Sequence, residues 1–221
     1  MIDTRHWFSP NTAPYPVRHI PLKRLFDLAF SMTVMVLGAP IFFLIALIVK
    51  LTSDGPAFFA HERIGRGGNR FPCYKFRTMH PDAEERLQHL LETNPSLRHE
   101  WETTYKLKND PRVTWIGKFL RKTSLDELPQ FWNVLRGDLS VVGPRPVTEN
   151  ELHQEIGPHA ARFLTIRPGL TGPWQVSGRN DTSYHDRIRF DIHYIRHRSF
   201  TWDLYLILLT IPAMISTRGA Y

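Results

Sequence analysis

Ten consecutive residues, Arg121-Lys122-Thr123-Ser124-Leu125-Asp126-Glu127-Leu128-Pro129-Gln130, carry the most suggestive chemistry in the chain. Two carboxylates stand side by side, with two cationic side chains about one turn before them. Ser124 and Glu127 have the spacing of a capping box, and Pro129 is tolerated in a first helical turn. The plain reading is that Asp126 and Glu127 only complement a helix dipole. The chemical reading uses the same geometry. A helix N-terminus presents free N–H groups to an anion and keeps a carboxylate ionised. A carboxylate beside a phosphate is either a metal ligand or a nucleophile that forms an acyl phosphate.

Cations that could meet a phosphate are set in stiff segments. Arg145 lies between Pro144 and Pro146, and Arg167 precedes Pro168-Gly169. Proline fixes φ, so an arginine held this way can offer its planar fork to a phosphate at little ordering cost. Cys73 to Met79 alternates with period two, which places Lys75 and Arg77 on one strand face and Tyr74 and Phe76 on the other. Each of these cations, taken alone, is equally at home as a solvated surface charge.

Other chemistries lack their signatures. There is no GxxxxGK[ST], and Gly65-Arg66-Gly67-Gly68 does not fit GxGxxG, so it reads as a hairpin turn. The 11 histidines include no HExxH. His193 and His197 have helical i, i+4 spacing but no evident third ligand, and read as a solvated basic face. A single cysteine, Cys73, excludes an internal disulfide framework and a cysteine-based zinc cluster.

The elements that must position these residues follow from composition and pattern. The chain has 221 residues, 42% hydrophobic and 22% charged, with a net charge of +7. Wholesale disorder and a polytopic membrane protein are excluded. The positive charge calls for an anionic partner: nucleic acid, a phosphate ligand or an anionic lipid surface. Residues 1–21 hold Pro10, Pro14, Pro16 and Pro21 and read as a mobile Pro-rich tail rather than a signal peptide. Leu28 to Val49 is an uncharged run of 22 residues, about the ~20 that cross a bilayer. Ala39-Pro40 in its middle removes a backbone donor and should break or kink the helix. Lys23 and Arg24 before the run and Lys50 after it suit two ends on the same cytoplasmic side. The prediction is a re-entrant membrane helix over 22–51.

Beyond it, 57–80 read as strands, and 82–106 as two exposed helices broken at Asn94-Pro95. Leu128, Phe131, Trp132 and Leu135 mark an amphipathic helix. Residues 140–180 are loop-rich, and 184–197 helical. Leu204 to Thr217 is too short to span and should be interfacial or buried, with Trp202 and Tyr205 at its start suited to a membrane interface. The expected fold is α+β: a compact catalytic domain over 52–221 facing the cytoplasm, a re-entrant helix hairpin and interfacial amphipathic helices.

Five ordered motifs resemble one family. They are Arg63-Ile64-Gly65, Lys75-Phe76-Arg77-Thr78-Met79, Thr123 to Gln130, Gly137 to Pro146, and Arg167-Pro168-Gly169-Leu170-Thr171-Gly172. Together they are similar to the bacterial sugar transferases, the monotopic polyprenol-phosphate phosphoglycosyl transferases. Gln175-Val176-Ser177-Gly178-Arg179-Asn180 and Arg218-Gly219-Ala220-Tyr221 resemble exopolysaccharide-priming members that transfer galactose 1-phosphate; glucose-transferring members are related.

The resemblance implies an enzyme that moves a sugar 1-phosphate from a UDP-sugar to undecaprenyl phosphate, releasing UMP. It implies Mg2+, a covalent intermediate on Asp126, and Glu127 binding the metal or orienting the dyad. Lys75, Arg77, Arg121, Arg145 and Arg167 become phosphate or nucleotide candidates. Asp191 is a polar candidate by its place in the C-terminal family segment. The family's re-entrant hairpin agrees with the kinked run, although many members carry Ser-Pro where this chain has Ala39-Pro40. Expected partners are the UDP-sugar, the polyprenol phosphate and the bilayer of the bacterial inner membrane, with a homodimer left open. Two other classes compete. A basic nucleic-acid-binding protein would use the +7 charge but leaves the apolar run unexplained. An inert membrane scaffold has no use for an intact Asp-Glu dyad.

Overall fold

The structure is a computed structural model that describes residues 20, 22–104, 107, 109–177 and 183–215. The predicted tail, Ile20 excepted, and the family-like residues 178–180 and 218–221 lie outside the described residues.

The apolar run becomes one helix, α1 (Lys23–Thr52), unbroken in secondary structure through Pro40. At ~1.5 Å per residue its 30 residues reach roughly 45 Å. Its middle is bare: Val36, Leu37, Ile41, Phe43 and Leu44 are exposed. Its two ends are not. Near the start, Lys23 Nζ meets Asp203 Oδ2 at 2.7 Å, and Arg24 donates to the Val134 and Leu135 carbonyls at 2.8 and 3.2 Å. Asp27 is buried and accepts from Ser140 Oγ at 2.7 Å and the Val141 N–H at 3.2 Å. Near the finish, Ile45 and Val49 join Phe76, Ile116 and Leu120 in a small apolar cluster. Both ends of α1 therefore rest on the same domain.

That domain begins with an antiparallel hairpin, β1 (Phe58–Ile64) and β2 (Arg70–Phe76). The turn between them holds Gly67 and Gly68 at positive φ, as the glycine-rich sequence requires. Two polar helices follow, α2 (Ala83–Thr93) and α3 (Pro95–Thr104), separated at Asn94 as its pairing with Pro95 predicted. Then come α4 (Trp115–Thr123) and α5 (Gln130–Arg136). Gly137 closes α5 at φ 96°, a left-handed cap that favours glycine. The Arg24 guanidinium neutralises the same helix end.

The loop-rich region contains more order than its composition indicated. Strands β3 (Ser140–Val142) and β4 (Gly169–Thr171) pair in parallel. A Cβ on Gly169 would lie 2.0 Å from the Gly143 nitrogen, so two backbones touch here and only glycine fits. The Gly169 N–H also donates to the Pro144 carbonyl at 2.7 Å. This contact joins the Gly-Pro-Arg-Pro and Arg-Pro-Gly motifs into one rigid unit.

Three short helices, α6 (Glu149–Glu151), α7 (Ala160–Phe163) and α8 (Pro173–Val176), wrap the core. Two longer ones, α9 (Tyr184–His197) and α10 (Phe200–Ile215), close it. Tyr194, Leu139, Val141, Val142 and Ile156 sit at its centre. The architecture is mixed helix and sheet, α+β as expected. Large apolar side chains stay exposed on α4 (Trp115, Phe119), α5 (Trp132) and α10 (Tyr205, Leu208, Ile211).

Candidate active site

Asp126 and Glu127 occupy a single 3-10 turn, Leu125–Glu127, between the end of α4 and the start of α5. The predicted capping box at Ser124 does not form. Ser124 is instead the left-handed C-cap of α4, at φ 57°, and its side chain caps nothing. The chain reverses there because α4 must end before α5 can pack along β2. A capping box does occur at Thr148 and Glu151, a pair that shares the same spacing. Sequence spacing alone does not distinguish the two, because the backbone preceding the serine decides.

Strand β2 brings Lys75 to this turn. Asn133, fully buried on α5, holds the strand in place: the Tyr74 N–H donates to Asn133 Oδ1 at 3.0 Å, and Asn133 Nδ2 donates to the Pro72 carbonyl at 2.7 Å. Lys75 Nζ then reaches Glu127 Oε1 at 2.6 Å and lies 3.9 Å from Asp126 Oδ2. Asp126 is only 7% exposed. Burial pushes its carboxyl up, the Glu127 charge adds to that, and Lys75 and Arg121 hold it down, with the result at about 6. Burial works against ionised Glu127 too, but the Lys75 ammonium, Arg145 and Arg63 outweigh it and hold Glu127 below its usual range. At neutral pH the turn therefore presents two ionised carboxylates among cations.

The other predicted cations divide. Arg121 on α4 feels the Asp126 charge, and its Nε donates to Thr78 Oγ1 at 2.9 Å. Arg145 acts on Glu127 and Lys75 through its charge. Arg77 and Arg167 are not brought to the dyad. Strand β2 stops at Phe76, so the predicted shared face of Lys75 and Arg77 ends one residue early. Arg77 turns to the end of α1, donating to the Ser53 carbonyl at 2.8 Å and Ser53 Oγ at 2.9 Å. Arg167 donates to the Gly137 carbonyl at 2.7 Å, on the side of Arg24. Asp191 lies behind Arg145 and accepts its backbone N–H at 3.1 Å.

Two participants were not foreseen. Arg63 pairs with Glu151 at 2.9 Å, and the hairpin register places Arg63 on the Lys75 face. Thr78 orients Arg121, and its carbonyl accepts the Thr114 N–H at 3.0 Å. A Cβ on Gly117 would come within 2.0 Å of that carbonyl. Strand alternation could have flagged Arg63. Nothing local in the sequence points to the Thr78–Gly117 contact, which is long-range.

Among the described residues no group of three or more His, Cys, Asp or Glu is placed to hold a metal. The His193 and His197 ring centres lie 4.3 Å apart with the rings tilted, His193 also meets Trp202 edge-on, and among the described residues no third ligand joins them. Asp126 and Glu127 offer two carboxylates. That set suits Mg2+, which binds through one or two carboxylates plus phosphate oxygens and waters, and does not suit a structural zinc site with four protein ligands.

A mixed helical domain thus carries a long apolar N-terminal helix and a buried, cation-flanked Asp-Glu pair. Residues 18–217 match the bacterial sugar transferase family, and the chain belongs to it. It is 50% identical over 200 residues to the exopolysaccharide production protein ExoY of Rhizobium meliloti, covering 90% of this chain and 88% of that one. It is 46% identical over 201 residues to the undecaprenyl-phosphate galactose phosphotransferase of Salmonella typhimurium, covering 90% of this chain and 42% of that one. With the UDP-glucose:undecaprenyl-phosphate glucose-1-phosphate transferase of Escherichia coli it shares 37% over 207 residues, 90% of this chain and 41% of that one.

Proposed function

We propose that this chain transfers galactose 1-phosphate from UDP-galactose to undecaprenyl phosphate and so primes exopolysaccharide synthesis. The observation that carries the reading is Asp126: a buried carboxylate 3.9 Å from Lys75, in the same turn as the Lys75–Glu127 ion pair. In the first step an Asp126 carboxylate oxygen attacks the sugar-bearing phosphorus. A P–O bond to Asp126 forms, the P–O bond to UMP breaks, and UMP leaves with that electron pair. In the second step a phosphate oxygen of the polyprenol phosphate attacks the same phosphorus and displaces the carboxylate. Splitting the reaction keeps two polyanionic substrates from meeting directly. Lys75, Arg121 and Arg145 neutralise charge on the phosphoryl group as its bonds exchange.

Asp126 and Glu127 would hold Mg2+, which, when bound, neutralises charge on the phosphate oxygens. Galactose is favoured by the 46% identity to the galactose phosphotransferase, against 37% to the glucose transferase. We read α1 as re-entrant, with the catalytic domain on the cytoplasmic face of the inner membrane. In support, both of its ends rest on one domain while its middle is bare, and Lys23, Arg24 and Lys50 flank the apolar run. The exposed aromatic and apolar side chains of α4, α5 and α10 would lie in the same interface.

The experiment is a donor screen with the chain in native membranes, following labelled sugar phosphate into lipid. UDP-galactose should label the lipid with release of UMP, and Asp126→Asn should abolish both. Release of UDP, or normal turnover by Asp126→Asn, overturns the reading.

A further inference from the structure

Thr78 gives its backbone and its side chain to different neighbours. Its carbonyl is held at the start of α4, where it accepts the Thr114 N–H at 3.0 Å and Thr114 Oγ1 at 3.3 Å. The residues beside it are braced as well. Met79 pairs with Val113 in an antiparallel bridge, and the His80 N–H donates to the Arg112 carbonyl at 2.9 Å. Arg112 is itself locked. It forms a buried two-pronged pair with Asp110 at 2.7 and 2.8 Å, and its guanidinium lies over the Trp101 ring. Thr78 is only 7% exposed. The backbone alone therefore fixes where its hydroxyl stands, and that hydroxyl accepts the Arg121 Nε–H at 2.9 Å.

Arg121 stands in the last turn of α4, and its carbonyl accepts the N–H of the Ser124 cap at 3.1 Å. Asp126 follows two residues beyond that cap. A guanidinium can meet a phosphate along its Nε side or with both terminal nitrogens together. Thr78 occupies Nε. The two terminal nitrogens have no partner among the described residues, and they are not sealed from solvent as Arg77 Nε and Nη1 are. Arg121 makes no ion pair among the described residues, yet its charge acts on Asp126. The forked end is thus left open beside the carboxylate that is proposed to take the phosphoryl group.

We propose that Thr78 is a positioning residue for Arg121: its hydroxyl takes the Nε–H and so presents the end of the guanidinium, with both terminal nitrogens, to the phosphoryl group that Asp126 receives. The inference rests on the reading of the chain as a phosphotransferase, and adds a residue that acts without touching substrate. Without the hydroxyl Arg121 keeps its charge but loses the bond that sets its plane, so a two-point contact becomes one pose among many. A lysine at 121 has no such N–H and gains nothing from Thr78. The division of labour inside Thr78 also separates the hydroxyl from the fold. Valine is close to threonine in size and keeps the carbonyl that anchors α4, but it lacks the acceptor.

The test is a double-mutant cycle on the full chain in detergent, supplied with undecaprenyl phosphate and with UDP-galactose or UDP-glucose. It reads kcat/KM for UMP release beside thermal melting. Thr78→Val should lower kcat/KM by about 10-fold or more with little change in melting. Thr78→Ser keeps the acceptor and should stay within about 3-fold of the unaltered chain. In the Arg121→Lys background, Thr78→Val should lower kcat/KM by less than about 2-fold further. Losses that multiply overturn the inference, because the hydroxyl would then act apart from Arg121. Full activity of Thr78→Val overturns it too, and leaves the phosphotransfer reading standing. So does an equal loss in Thr78→Ser and Thr78→Val, which would mark a packing defect. If Thr78→Val does not fold, Thr78→Ala takes its place in the cycle. If Arg121→Lys turns over too slowly to read, the contrast with Thr78→Ser decides alone. No turnover by the unaltered chain with either donor overturns this inference together with the reading beneath it.

Discussion

Lys75 Nζ sits 2.6 Å from Glu127 Oε1, and the same ammonium stands 3.9 Å from Asp126 Oδ2. One cation thus serves two carboxylates unequally. It holds Glu127 ionised by direct contact and leaves Asp126 poised at about 6. In the proposed reaction Asp126 works as the anion, so activity is present above that value and lost as pH falls through it. kcat/KM should fall on the acid side with an apparent pKa near 6. Removing the ammonium in Lys75→Met takes away the charge that lowers Asp126, so the acid limb should move upward by about 1–3 units. The rate at pH 7 should drop by about 10²-fold. A pH–rate profile checks both, and an unmoved limb would separate Lys75 from Asp126.

Asp27 is a buried carboxylate that accepts from Ser140 Oγ and the Val141 N–H, with the Lys23 ammonium 3.8 Å away. Asp27→Ala leaves a buried hydroxyl and a buried amide unsatisfied, at a cost of roughly 2–4 kcal/mol. Thermal melting in detergent should show a clear drop, with Asp27→Asn closer to the unaltered chain because it keeps a hydrogen-bonding group. Equal melting of all three would mean that Lys23, Arg24 and the Ile45–Val49 cluster hold α1 without Asp27.

Gly117 touches the Thr78 carbonyl so closely that any Cβ would collide with it. Gly117→Ala must push α4 away from the Thr78 backbone, costing about 2 kcal/mol or more. Because Thr78 also orients Arg121, activity should fall even at temperatures where the variant stays folded. A folded, fully active Gly117→Ala would show that this contact can relax freely.

Leu22 precedes α1 and Ser53 follows it. If α1 is re-entrant, single cysteines placed at these two positions should both react with a membrane-impermeant thiol reagent from the cytoplasmic side only. Cys73, the one native cysteine, is buried, and burial pushes its thiol up to about 11, so the background should be low. Labelling of the two sites from opposite sides would establish a full span.

How much of this was legible in the chain varies by element. The hairpin turn at Gly65–Gly68 and the break at Asn94 are local matters of φ, and the residues there dictate them. The uncharged run of 22 residues has the length of a bilayer-crossing helix, and it folds as one helix rather than two halves parted at Pro40. The Asp-Glu pair stood out because adjacent carboxylates after adjacent cations are an uncommon pattern. The sequence misjudged what surrounds that pair. Ser124 reads as a helix N-cap yet closes the preceding helix.

Four cations looked alike in one dimension, each beside proline or on a strand. Tertiary packing sent Lys75 and Arg145 toward Glu127, Arg77 to the end of α1, and Arg167 to the end of α5. Where a long side chain ends depends on which neighbours are already packed, and those neighbours come from distant parts of the chain. The sequence by itself thus determined the types of group available: a carboxylate pair, an excess of cations and an apolar helix with charged ends. Only the tertiary structure decided which cation meets which carboxylate, because electrostatic coupling falls with distance and burial, and both are set by the fold.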